Sequence, residues 1–364
     1  MKIITVNTEG KTYDISIESG LIKRLPGILK KQYRDNKIAL ITDDNVFKLY
    51  GRDFCQLLQL EELSVVPVVF KAGEQSKNIH QLSQIYDTLA DNSFTRSDVV
   101  IAFGGGVTGD MAGLAAATFL RGMGFIQIPT TLLAMVDSSI GGKVAVDLPQ
   151  GKNLVGTFYQ PDMVYTDPEL LKTLSGEQFA NGMAELIKHG IIRDINLFND
   201  IIDSNTEFNY EALSDKLDRY IYESCEIKRK IVEQDEFDNG IRQLLNFGHT
   251  IGHAIEKIQD YKGMSHGEAI SIGMVIITRL TEKMGLTQRG EAQRLEAALK
   301  KLELPTELPD LNVSELINAI SLDKKNRSGI ITIAYIEQIG VGKLKQLVLD
   351  QMEEELYGLI KYNI

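Results

Sequence analysis

The chain of 364 residues carries 50 acidic against 39 basic side chains, a net charge of −11 that argues against a general nucleic-acid or anionic-membrane surface. That length exceeds the range in which one core keeps growing, so two domains are expected. Two distant cysteines, Cys55 and Cys225, no apolar leader and no long uninterrupted apolar run predict a reducing, cytoplasmic setting without disulfides or membrane spans.

In chain order, residues 2–6 and 13–17 read as strands of an edge hairpin and 20–32 as a helix. Apolar runs at 37–42, 65–70, 99–103 and 125–128 read as buried strands. A helix follows Asp43-Asp44-Asn45, and further helices fall at 78–92 and 109–120. This alternation predicts a parallel α/β sheet covered on both faces, with ligands beyond the carboxyl ends of its strands. After residue 164 the period changes: 175–190, 210–235, 242–258, 268–284 and 289–302 are helical, with a small strand pair at 329–337 and 344–349. The expected fold is thus α/β: an N-terminal parallel-sheet nucleotide-binding domain over 1–166, followed by a mainly α-helical metal-binding domain over 167–364.

Of the five histidines, His249, His253 and His266 fall in one short segment. His249 and His253 are four apart and share a helix face, and neutral imidazole is a common metal ligand, so metal binding or proton transfer is expected here. Thr250 stands where a metalloprotease H-E-x-x-H would carry its general base, so that chemistry is excluded. Glu185 lies among apolar neighbours on an expected helix and needs a partner. Either a metal held by histidines or an ion pair with Lys188 or His189 would supply one.

Gly104, Gly106 and Gly109 satisfy G-x-G-x-x-G between a strand and a helix, a pattern that either cradles a pyrophosphate or permits close helix–sheet packing. The next strand ends in Pro129-Thr130-Thr131 and offers no acid for a ribose; Asp43 ends an earlier strand. Glu74 and Lys77 follow another strand. Asp137-Ser-Ser-Ile-Gly-Gly-Lys143 and Gly151-Lys152-Asn153 read as a basic loop suited to phosphate, without Walker A spacing.

In fixed order, Phe103 to Asp110, Ile128 to Thr131, Asp137 to Lys143, Gly151 to Asn153, Met183 to Glu185 and Leu245 to Glu256 resemble the 3-dehydroquinate synthase family of the sugar phosphate cyclase superfamily. The resemblance implies phosphorus–oxygen lyase activity in the shikimate route to aromatic amino acids. It would convert 3-deoxy-D-arabino-heptulosonate 7-phosphate to 3-dehydroquinate and phosphate, through NAD-mediated transient oxidation, phosphate elimination, reduction, ring opening and intramolecular aldol closure. It implies NAD and Zn2+ or Co2+, a homodimer, and no nucleic-acid or membrane partner. The metal ligands it implies are Glu185, His249 and His266, with His253 as proton relay. NAD would meet Asp43, Asn45, Glu74, Lys77, Gly105, Gly106, Val107, Asp110, Thr130, Thr131, Asp137, Lys143, Lys152 and Thr173. Lys143, Asn153, Lys324 or Lys325 would serve the substrate phosphate, with Arg121 donated across the dimer. Lys228, Arg242 and Asn246 would hold the substrate carboxylate and neighbouring hydroxyls. A related cyclase such as 2-deoxy-scyllo-inosose synthase would leave Arg242 facing nothing. An iron-type alcohol or glycerol dehydrogenase would accumulate NADH, and a nucleotide-sensing scaffold would show no turnover.

Overall fold

The short apolar runs of the first half become strands β1 (Lys2–Asn7), β2 (Thr12–Ile17), β3 (Lys37–Asp43), β4 (Ser64–Phe70), β5 (Val99–Gly104) and β6 (Gly124–Pro129). The structure, a computed structural model, describes residues 1–204, 207–324 and 329–363, with side chains except at 321–324 and 361–363. Strands β7 (Lys143–Leu148) and β8 (Gly151–Phe158) form a separate antiparallel pair, and β9 (Met163–Thr166) returns to the main sheet. The sheet order is β1-β2-β9-β6-β5-β3-β4. Only the β1–β2 pair is antiparallel; every other pairing in this sheet is parallel. All six residues of β5 are buried, as a parallel strand covered on both faces requires.

Two compact units result: Met1–Ser175 with Leu213–Glu236, and Gly176–Ala212 with Phe237–Ile364. A single cut at residue 166 therefore does not describe the domains. Most of the Tyr210–Gln234 helix belongs to the first unit, burying Leu213, Leu217, Tyr220, Ile221, Cys225 and Val232 along one face. Its polar flank meets the sheet edge, where Ser19 Oγ donates to Asp218 at 2.8 Å and the Asn7 amide donates to Glu233 at 2.7 Å. Helical period is visible in a sequence; the surface against which a helix packs is not.

The second unit contains helices Gly176–Arg193, Ile195–Ile202, His249–Ile258, His266–Lys283, Glu291–Lys301, Val313–Lys324 and Leu349–Asn363. It also holds the expected small strand pair, antiparallel β10 (Ile330–Gln338) and β11 (Val341–Val348), which turns at Gly340. The helix expected over 242–258 is broken. A 3-10 turn, Ile241–Asn246, precedes Gly248 at φ 82°, and the α-helix starts only at His249. A Cβ on Gly248 would lie 2.6 Å from the Ile270 carbonyl oxygen, so glycine is needed for both the backbone angle and the close helix contact. This break places His249 at a helix N-terminus. Among the described residues, no helix is long and apolar enough to cross a membrane.

Candidate nucleotide site and metal centre

In the first unit the glycine turn joins β5 to the Gly106–Thr118 helix, with Gly105 as its N-cap. The helix N-terminus has no side-chain cap, an arrangement that favours an anion, and a Cβ on Gly109 would press to 3.0 Å against Gln127 of β6, the close packing that the glycines also permit. Strand order supplies the acid that the next strand lacks. β3 pairs with β5, Ile41 opposite Ala102, while β4 lies beyond β3 and β6 lies on the other flank of β5. The chain thus leaves β3 and β5 in opposite directions, and a crevice at such a switch point is where open α/β sheets bind ligands. Asp43 ends β3 there. Its Oδ1 accepts from the Val46 amide at 2.9 Å, and burial pushes its carboxyl upward against the pull of the Val46 and Asn45 amides. Thr130 Oγ1 is buried without a hydrogen bond, and Thr173 Oγ1 lies 2.8 Å from the Tyr50 hydroxyl.

Of the stretches expected as a basic loop, Asp137 to Gly142 is a helical turn and a bend, whereas Lys143 and Gly151–Asn153 belong to a hairpin, β7–β8, in which Val144 and Val146 face the core while Asn153 to Thr157 are exposed. Alternation over Lys143–Leu148 carried that signal. The hairpin is fastened by polar side chains. Lys77, 5 % exposed, brings Nζ within 2.5 Å of Asp110 Oδ2 and donates to Asn153 Oδ1 at 2.5 Å. The Asn153 amide donates to Asp147 Oδ1 at 2.7 Å, holding Asn153 at φ 57°. Lys152 pairs with Glu74 at 3.3 Å. Burial would lower the Lys77 ammonium, but Asp110 and Glu74 raise it; burial pushes the Asp110 carboxyl up to about 6 against the pull of Lys77. Lys228 Nζ donates to both the carbonyl and the carboxylate of Asp137, at 2.5 and 2.6 Å. Lys143 and Arg121 are exposed. Arg121 (φ 68°) and Leu120 (φ 50°) both occupy the left-handed region, backbone strain of the kind that gathers at functional sites.

The second unit brings the histidines together. Glu185, fully buried on the Gly176–Arg193 helix, faces His249 and His266, each the first residue of its helix. His266 is fixed by a capping box between Ser265 and Glu268. Both Nε2 atoms lie 3.5 Å from Glu185 Oε1, and the three ligand atoms are within 4.8 Å of one another. The His253 ring lies 5.1 Å from that of His249 and 5.9 Å from that of His266. Neither oxygen of the buried Glu185 carboxylate accepts a well-formed hydrogen bond. One buried carboxylate and two converging imidazoles form an open N₂O donor set for a divalent ion such as zinc.

The alternative partner for Glu185 is present as well. Lys188, 1 % exposed, sets its ammonium 2.5 Å from Glu185 Oε2 and donates to the Leu245 carbonyl at 2.6 Å. Sequence reasoning offered Lys188 only as a rival to the metal; its i, i+3 spacing from Glu185 was the available signal. Burial alone would raise the Glu185 carboxyl, but Lys188 and His266 hold it well below the usual carboxylate range. Burial would lower His266, yet Glu185 and Glu256 push it up to about 9. Arg242 is buried and Asn246 exposed on the turn before His249. The side chains of Lys324 and Lys325 lie outside the described residues.

Two family models match, 3-dehydroquinate synthase N-terminal over residues 67–181 and 3-dehydroquinate synthase C-terminal over 182–326. A 3-dehydroquinate synthase of Clostridium kluyveri is 43 % identical, covering 99 % of this chain and 98 % of the relative. One of Streptococcus suis is 44 % identical over 97 % and 99 %. Among solved structures, 2-deoxy-scyllo-inosose synthase complexed with carbaglucose-6-phosphate, NAD+ and Co2+ superposes with a TM-score of 0.86 at 23 % identity, over 98 % and 99 % of the two chains. So does 2-epi-5-epi-valiolone synthase from Streptomyces hygroscopicus with NAD+ and Zn2+, at a TM-score of 0.86 and 24 % identity over 99 % of each chain. The NADH-dependent butanol dehydrogenase of Thermotoga maritima reaches 0.66 at 14 % identity over 98 % of each. At such identities these structures share the fold; with both family models and relatives matched end to end, the chain belongs to the 3-dehydroquinate synthase family.

Proposed function

We propose that this protein is an NAD- and metal-dependent phosphorus–oxygen lyase that converts 3-deoxy-D-arabino-heptulosonate 7-phosphate to 3-dehydroquinate and phosphate, working in the cytoplasm as a homodimer. The observation that carries the reading is the convergence of Glu185, His249 and His266 on one point in a chain of this family. Zinc or cobalt would be held by these three residues. NAD would lie at the β3–β5 switch point, among Asp43, Gly105, Gly106, Asp110 and Thr130. A bound divalent ion supplies polarisation of substrate oxygens, and bound NAD+ supplies a reversible hydride acceptor.

The chain's own groups do the rest. Lys188 keeps Glu185 anionic, ready to ligate, inside a fully buried position. Asp137 holds the Lys228 ammonium through its carbonyl and its carboxylate, and in this reading that oriented cation serves anionic substrate oxygens. Lys77, Asp110 and Asp147 fix Asn153 and the hairpin that carries Lys143 and Lys152, gathering cations locally in an acidic protein. Arg242 serves the substrate carboxylate with Asn246, His253 moves protons, and Arg121 reaches the partner's phosphate. Lys324 or Lys325 adds a phosphate contact in this reading. Phosphate release from the heptulosonate phosphate, followed with and without a chelator, tests it. Release that stops on chelation and returns with zinc or cobalt is expected; release indifferent to chelation would refute the metal reading, and no release under any condition would refute the activity.

A further inference from the structure

Glu256 lies on the same helix as His249 and His253, 6 % exposed, in a position no catalytic role has claimed. Its Oε2 is 3.2 Å from His266 Nδ1, while His266 Nε2 faces Glu185 Oε1 at 3.5 Å. The two carboxylates therefore grip opposite nitrogens of one imidazole. A carboxylate can only accept, so the contact to Glu256 requires the ring proton on Nδ1, and the lone pair of the neutral ring is then left on Nε2. The backbone supports the same arrangement. The Glu256 carbonyl accepts from the Tyr261 amide at 2.9 Å, closing the turn through Asp260 (φ 52°) and Tyr261 (φ 56°) that carries the chain back to His266.

We infer that Glu256 is a positioning residue that fixes the tautomer and ring orientation of His266, so that Nε2 is presented to a metal shared with Glu185 and His249. This rests on the metal reading above. His253, Glu256 and His266 also lie close enough to hold an ion by themselves. However, the Glu256 oxygen approaches the nitrogen of His266 remote from Glu185, and His253 is solvent-exposed, so the acid serves the buried centre. Outer partners of this kind change metal affinity by about 10- to 100-fold.

Zinc affinity of the full chain, measured by competition with a chromophoric chelator, tests the assignment without reference to turnover. Glu256→Ala should bind zinc about 10- to 100-fold more weakly. Glu256→Gln, whose amide oxygen still accepts from Nδ1–H, should recover most of that loss, and NAD affinity should stay unchanged in both, showing intact protein. Zinc affinity unchanged in Glu256→Ala, while His266→Ala loses it, would overturn the role of Glu256 alone. Zinc affinity unchanged in His266→Ala as well would overturn the metal reading and this inference with it. Equal losses in the Ala and Gln variants would assign Glu256 to packing and overturn its positioning role.

Discussion

In the first unit the charged side chains at the strand ends are matched to one another, Lys77 with Asp110, Lys152 with Glu74 and Lys228 with Asp137. In the second, two histidines converge on a buried carboxylate that one lysine does not satisfy. The first arrangement is complete in itself and orients groups for an incoming polyanion. The second brings two imidazole nitrogens and a carboxylate oxygen to one point, a donor set suited to a divalent cation. Substitutions should therefore separate the two: changes in the second unit act on metal, and changes in the first act on anion binding and on the stability of the pairs themselves.

The largest separation is expected for Glu185→Ala. Zinc affinity should fall more than about 100-fold, beyond the loss from an outer partner, while NAD affinity holds. The metal-free variant should also lose about 3–5 kcal/mol against denaturant, because Lys188 remains buried without its carboxylate. Adding Lys188→Met should restore stability without restoring zinc. Recovery of zinc binding in the double variant would show that the lysine, and not the missing ligand, had been the obstacle. Next comes His253→Ala, expected to keep its zinc and lose about 10²- to 10⁴-fold in turnover, the range of a lost proton-transfer group. Loss of metal from that variant would make His253 a ligand and dissolve its proposed role as relay.

Arg242→Ala should raise the KM for the heptulosonate phosphate by about 10- to 100-fold, the worth of a charged hydrogen bond, with NAD affinity constant. Unaltered KM would favour a cyclase whose substrate lacks a carboxylate. The smallest effect concerns Asp110. Its carboxyl is raised to about 6 by burial, despite Lys77, above its unfolded value. A carboxyl raised on folding contributes fully below about pH 4, and the contribution is lost as pH climbs through about 6. Denaturation of wild type and Asp110→Asn across that window should show the difference moving in favour of the variant as pH rises. A constant difference would mean that Asp110 is not perturbed.

Much of this contrast was legible in the chain itself. The four-residue spacing of His249 and His253, the isolated Glu185 and the glycines at 104–106 each pointed to chemistry through local geometry. What remained hidden depends on neighbours distant in sequence. Asp43 reaches the glycine turn because β3, not the next strand β6, flanks β5 on that side. The Tyr210–Gln234 helix joins the first unit through contacts to the β1–β2 edge that no period encodes. Glu256 looks like an ordinary surface acid until the turn at Asp260 and Tyr261 brings His266 back to it.

The most direct test of the account is stoichiometry: phosphate released from the heptulosonate phosphate by the zinc-loaded protein, with NAD+ supplied in amounts far below substrate. The account predicts phosphate release over many turnovers per NAD+ with no accumulation of NADH. NADH formed in proportion to substrate consumed, without phosphate, would contradict it and mark the protein as a net dehydrogenase on the same fold.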